Sequence, residues 1–138
     1  MGSHEVRLLL DTHIWIWSHH EPDRLCTRVT EALVDARNEL WLSPISLWEF
    51  LVLVQKGKLG IHGGLDPRIW IDEAMRKVPM QEAPITRQIA VQSRFMELEH
   101  EDPADRFLAA TAEVHDLVLV TADKHLLRGK RFRSLANR

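Results

Sequence analysis

Two stretches of the chain are apolar without interruption and then end on a polar step. Leu8-Leu9-Leu10, preceded by Val6, stops at Asp11. Leu117-Val118-Leu119-Val120 stops at Thr121, with Asp123 two residues further on. Short runs of this kind predict strands buried on both faces, the habit of parallel sheets. Weaker strand signals lie at residues 39–43, at 78–82, where Pro79 points to a sheet edge or a strand start, and in the basic tail 128–138 around Phe132 and Leu135.

The intervening segments carry helical spacing. Residues 12–19 read as a short helix holding both Trp15 and Trp17, which cannot lie on one line of a helix, so one of them points away from the core. Pro22 suits the first turn of a second helix reaching about residue 37, with Leu25, Val29, Ala32, Leu33 and Ala36 on its apolar face and Cys26 in its core. Ser43-Pro44 and Asp66-Pro67 are cap-plus-proline starts for helices ending near Lys56-Gly57 and Lys77. Thr86 precedes a helix expected over 87–98, and Asp102-Pro103 opens another whose alanines allow close approach to a sheet. Strands alternating with helices predict an α/β protein, a three-layer α/β/α sandwich with a mostly parallel central sheet.

The helix after Ser43 is apolar almost all the way round, through Ile45, Leu47, Trp48 and the run 50–54. One face is expected in the core and another against a partner chain. Glu49 sits within it, and a carboxylate there is costly to bury unless something pairs with it.

The length of 138 residues suits one domain, expected over 5–138, with the opening Met1-Gly2-Ser3-His4 read as a cloning remnant. A net charge of −2 offers no global basic field for nucleic acid, though metal-binding acids would offset a local basic rim. The single cysteine excludes an internal disulfide and a cysteine-based zinc site. No apolar run is long enough to span a bilayer, and a soluble cytoplasmic protein is expected. His13, His19, His20, His100, His115 and His125 show no metal-ligand spacing, although His100 lies near Asp102 in the chain.

The acids carry the chemistry. Each has a plain structural explanation: Asp11 and Asp102 as helix caps, Asp105 as a favourable charge in a first turn. Their conjunction is harder to dismiss. Right-handed crossovers bring parallel strand ends to one edge, so Asp11 and Asp123 would meet there. The helix starting at Asp102 can bring Asp102 or Asp105, and Glu49 can join from its own helix. Converging carboxylates repel unless protons or a cation neutralise them. Oxygen-only ligands suit Mg²⁺ or Mn²⁺ rather than zinc, and the reaction class that uses such a site is phosphodiester hydrolysis.

Leu-Leu-Leu-Asp11-Thr-His, Ser46-Leu-Trp-Glu49, Asp102-Pro-Ala-Asp105-Arg-Phe-Leu-Ala-Ala-Thr-Ala and Leu-Val-Thr121-Ala-Asp123 resemble, in order and spacing, the PIN domain, in particular the VapC-type toxins of bacterial toxin–antitoxin pairs. The resemblance implies a Mg²⁺- or Mn²⁺-dependent ribonuclease on a PIN-like sheet, with Asp11, Glu49, Asp105 and Asp123 at the four acidic positions and Asp102 at an additional acid of one subgroup. It implies an RNA substrate, a cognate antitoxin that blocks the site, and a homodimer. On that basis Asp11, Asp105 and Asp123 would hold metal, directly or through water. Glu49 would hold a second ion or orient the attacking water. Thr12 and Thr121 would hydrogen-bond these carboxylates. Arg106, Lys124 and Arg87 are candidates for phosphate contacts. Trp15, Trp17, Trp48 and Leu51 are candidates for an antitoxin groove, with core packing as the alternative. Two other readings stay open: a non-catalytic α/β interaction module whose acids are helix caps, and a phosphoryl-transfer enzyme with Asp11 as nucleophile. The latter lacks the second Asp two residues on.

Overall fold

The computed structural model describes residues 6–99 and 101–138, so the opening five residues, including the expected cloning remnant 1–4, and His100 lie outside the described residues. The chain runs β1 (Arg7–Leu10), α1 (Thr12–His20), α2 (Thr27–Val34), β2 (Glu39–Leu42), α3 (Pro44–Gln55), α4 (Pro67–Lys77), β3 (Gln81–Glu82), α5 (Arg87–Ser93), α6 (Pro103–His115), β4 (Val118–Thr121), α7 (Lys124–Leu127) and β5 (Arg133–Ala136). The strands form one sheet in the order β3-β2-β1-β4-β5, and every pairing is parallel. Both expected buried strands are central neighbours, with Leu8 opposite Val118 and Leu10 opposite Val120.

The three leucines of β1 divide between two apolar cores. Leu9 joins Leu119, Ile89, Leu108 and Ala109 on the face covered by α5 and α6. Leu8 and Leu10 join Val120, Ile14, Trp15, Val29 and Phe50 on the face covered by α1, α2 and α3. This is why the run carries no polar alternation: each side of the strand meets helices. Trp15 is fully buried, edge-on to Phe50 and Trp70, whereas Trp17 is only half-buried, with the Arg24 guanidinium 4.2 Å above its ring.

The chain leaves β1 toward β2 on one side, and β4 pairs on the other side of β1. The carboxyl ends of β1 and β4 therefore flank the switch point of the sheet, where open α/β folds form a crevice.

Three expected elements differ. The helix predicted from Pro22 to about residue 37 is broken into a 3₁₀ turn, Pro22–Arg24, and α2. Asn137 holds the break open: its side-chain carbonyl accepts from the Cys26 amide at 2.7 Å, and its amide donates to the Arg24 carbonyl at 3.0 Å. Cys26 is consequently the residue before α2, half-buried, and not part of a helix core. The helix expected to reach 98 stops at Ser93. There Arg106, buried at the start of α6, donates from Nε to the Ser93 carbonyl and from Nη2 to the Met96 carbonyl, both at 2.8 Å. The strand expected at 78–82 is reduced to Gln81 and Glu82, at the edge.

The Arg106 clasp sets a test of stability. Arg106→Leu leaves two buried carbonyls without charged donors and is expected to lower the unfolding free energy by about 2–4 kcal/mol, measured by urea titration.

Candidate active site

Asp11 continues β1 by one residue, donating its amide to Val120 O at 3.0 Å, and then turns the chain into α1. Its side chain is buried and divided between two partners. Oδ1 accepts from the Thr12 amide at 2.7 Å, and Oδ2 accepts from Thr121 Oγ1 at 2.6 Å. Thr121 Oγ1 in turn accepts from the Asp123 amide at 3.0 Å, so one hydroxyl ties the ends of β1 and β4 to the start of α7. Asp123 caps that helix through Oδ1, which accepts from the His125 and Leu126 amides.

Thr12 reaches the other way. Its hydroxyl donates to Glu49 Oε1 at 2.5 Å and lies 2.9 Å from Ser46 Oγ, whose own proton must serve that second contact because a hydroxyl has only one to give. Glu49 is thus anchored one turn after Pro44 opens α3. Asp102 caps α6, accepting from the Ala104 amide at 2.9 Å, and Asp105 follows on the same face of the helix, buried.

Asp11, Glu49, Asp102, Asp105 and Asp123 line one pocket of about 350 Å³, together with His13, Trp17 and Ala122. They feel one another across it. Burial pushes the Asp11 carboxyl upward, against the lowering hydrogen bonds of Thr121 and Thr12, with Asp123 adding to the rise. Burial likewise raises Glu49, assisted by the charges of Asp11 and Asp102. Asp105 is pushed up to about 8, first by burial and then by Asp11, Asp102, Asp123 and Glu49. Four segments of chain therefore present carboxylates to a single space where they cannot all be ionised without a counter-charge.

The donor set is all oxygen, which fits a hard divalent cation. Among the described residues no three or more His, Cys, Asp or Glu side chains are placed closely enough to hold a metal ion as they stand. The carboxylates line the pocket without converging on one point, so an ion there would be held by them partly through water.

Some sequence-predicted residues lie elsewhere. Arg106 faces the Ser93–Met96 turn and contributes to packing; the phosphate role considered for it is corrected by its burial. Arg87 is exposed at the start of α5, away from the pocket. Lys124 is exposed and lines a neighbouring pocket. Of the four groove candidates, Trp15 is core and Leu51 packs half-buried against the same cluster, while Trp17 lines the acidic pocket. Trp48 is 59% exposed and lines an apolar groove of about 630 Å³ with Ile45, Val52, Leu53 and Phe107; this groove meets the acidic pocket at His13, Glu49 and Asp102. The sequence reading missed His13 as a wall of the site. Its four-residue offset from Trp17, which also lines it, was the available signal; their rings lie 5.8 Å apart.

Residues 8–131 match the model of the PIN domain family. The chain is 31% identical over 122 residues to Ribonuclease VapC22 of Mycobacterium tuberculosis, covering 86% of this chain and 88% of that protein. Among solved structures it superposes on VapBC2 from Rickettsia felis bound to a DNA fragment from its promoter, with a TM-score of 0.71 at 16% identity over 96% of this chain and 100% of that one. It also superposes on DNA-bound VapBC from Salmonella typhimurium, with a TM-score of 0.66 at 18% identity over 95% and 98% of the two chains.

Crowding of the acids fixes a pH dependence. Asp105 holds its proton to a pH of about 8 when folded, against 3.8 as an ordinary carboxyl. Between these values the folded state binds the extra proton, so stability of the metal-free chain falls as pH rises through that window. Thermal melts in chelator should show a declining Tm from pH 5 to pH 8. Asp105→Asn should flatten the decline and raise the pH 8 Tm by about 2–5 °C.

Proposed function

The chain belongs to the PIN-domain family, and from that premise we propose that it is a divalent-metal-dependent endoribonuclease, the toxin of a toxin–antitoxin pair. The observation that carries the reading is Asp105. Capping explains Asp11, Asp102 and Asp123, as a non-catalytic interaction module would require, but it does not explain Asp105, whose carboxyl lines the same pocket as four other acids and is pushed up to about 8 by burial and then by their charges, nor Glu49 in the middle of α3. The relative named as a ribonuclease supports the same activity.

In this reading Asp11, Asp105 and Asp123 hold Mg²⁺ or Mn²⁺, directly or through water, with Asp102 and Glu49 at the rim. Such an ion, when bound, polarises a phosphoryl oxygen and makes a bound water acidic enough to supply hydroxide. The chain's own residues do the positioning. Thr121 fixes the rotamer of Asp11 through Oδ2, and Thr12 fixes Glu49 through Oε1. Glu49 Oε2 is left to orient the attacking water. Trp17 and His13 wall the pocket on the α1 side.

The partner is a cognate antitoxin. Its apolar segment is assigned to the groove around Trp48, because that groove opens onto the acids at Glu49 and Asp102 and an occupant there would cover them. The structural relatives include toxin–antitoxin complexes with DNA. A homodimer and a cytoplasmic setting belong to the same reading. No helix among the described residues is long and apolar enough to cross a membrane.

Calorimetric titration with Mn²⁺ should show saturable binding that disappears in a folded Asp11→Asn/Asp123→Asn variant. Asp11→Asn should lower metal-dependent RNA cleavage by at least about 100-fold with its far-ultraviolet spectrum unchanged. A folded wild-type chain that binds no Mn²⁺ with or without RNA would favour the interaction module. Trp48→Asp should keep Mn²⁺ binding and weaken antitoxin affinity by about 30-fold or more, read by surface plasmon resonance.

A further inference from the structure

Beside the acidic pocket lies one of opposite sign. A cleft of about 590 Å³ is lined by Arg28 from α2, Lys124 and Arg128 from α7, and Arg138, with Ser134 and Leu135 of β5 among its other walls; no acid lines it. Asp123, the last acid of the first pocket, is the immediate chain neighbour of Lys124, so the two pockets share the turn that starts α7.

This gathering does not follow from a generally basic surface, since the chain carries a net charge of −2. Many arginines are neutralised by neighbours: Arg37 by Asp35 and Arg68 by Asp66, each at 2.8 Å, and Arg133 by Asp116 at 3.1 Å. In the cleft only Arg128 has such a partner, Glu99 at 3.7 Å. Among the described residues Arg28 and Lys124 make no ion pair. The position of Arg28 also runs against helix preference: it stands in the first turn of α2, where the backbone favours an anion. Folding alone gives no reason to concentrate cations here.

We propose that the Arg28–Lys124–Arg128 cleft binds the phosphodiester backbone of the RNA strand next to the cleaved bond. This rests on the ribonuclease reading and adds to it a direction: the strand leaves the acidic pocket over the start of α7 and runs toward β5. The division of labour is electrostatic. The carboxylates repel a polyanion, and an adjacent cationic cleft offsets that repulsion and holds the strand against it. The guanidinium groups of Arg28 and Arg128 present paired donors to phosphate oxygens, whereas Lys124 acts as a point charge. Phosphate contacts of this kind carry no base preference, so the cleft sets position and polarity and not sequence.

The test uses cleavage-disabled protein (Asp11→Asn) and a fluorescein-labelled random-sequence RNA 12-mer, with fluorescence anisotropy measured across a potassium chloride series. Arg28→Gln/Lys124→Gln is added to this parent, and Arg76→Gln/Lys77→Gln serves as the control, removing two exposed charges at the end of α4. Two phosphate contacts on a single strand carry a logarithmic salt slope of about −1.4, or about 25-fold in affinity at 0.1 M salt. The cleft variant is expected to lose that slope and that affinity, with its Tm unchanged or raised, while the control shifts affinity less than about twofold. An unchanged slope, an equal loss in the control, or full displacement of RNA from the parent by low-millimolar inorganic phosphate would each overturn the assignment. A parent that binds no RNA in any salt would instead overturn the ribonuclease reading, and this proposal with it.

Discussion

Mutual repulsion of carboxylates around one pocket is the constraint on which the rest of this structure depends. Asp11, Glu49, Asp102, Asp105 and Asp123 come from four segments, and in a space of about 350 Å³ burial, helped by neighbouring acids, raises Asp11, Glu49 and Asp105. Such a cluster forms only where the surrounding fold is stable enough to hold it. The central strands are paired on both sides and packed on both faces, and the acids stand just beyond their ends. Each carboxylate that serves as a cap also accepts hydrogen bonds from backbone amides. In the proposed reading, capping and ligation are two uses of the same side chains. The cap holds one carboxylate oxygen in place while the residue lines the pocket.

Much of this was legible in the sequence because it is local. Uninterrupted apolar runs marked β1 and β4, and Ser43-Pro44, Asp66-Pro67 and Asp102-Pro103 marked three helix starts to the residue. Asp11, Asp102 and Asp123 followed from the ends of elements, whereas Glu49, in the middle of α3, stood out only as an acid on an apolar helix. What escaped was set by distant contacts. Asn137 breaks the predicted second helix from more than a hundred residues away, and Arg106 ends α5 early by taking its carbonyls. No periodicity near residue 24 or 94 reports either event. The choice between groove and core stayed open in the sequence for a related reason: a tryptophan reads as apolar whether it fills a core, as Trp15 does, or lies 59% exposed along a groove, as Trp48 does.

Charge was the least legible feature from composition. A net charge of −2 conceals two adjoining pockets of opposite sign, one lined by five acids and the other by Arg28, Lys124, Arg128 and Arg138. The turn between Asp123 and Lys124 separates them. Averaging over a chain erases what matters to a polyanion, which responds to potential within a Debye length of each phosphate.

The hydrogen bond from Thr121 to Asp11 joins residues 110 positions apart. β1 is completed by β4, and β4 is among the last elements of the chain. Translation delivers the amino-terminal strand first and its partner many seconds later, at roughly 5–20 residues per second. Until residues 118–123 leave the ribosome, Asp11 has no Thr121 to orient it and no Asp123 beside it. A nascent chain that has not yet delivered residues 118–123, or one terminated before them, thus lacks an assembled acidic centre.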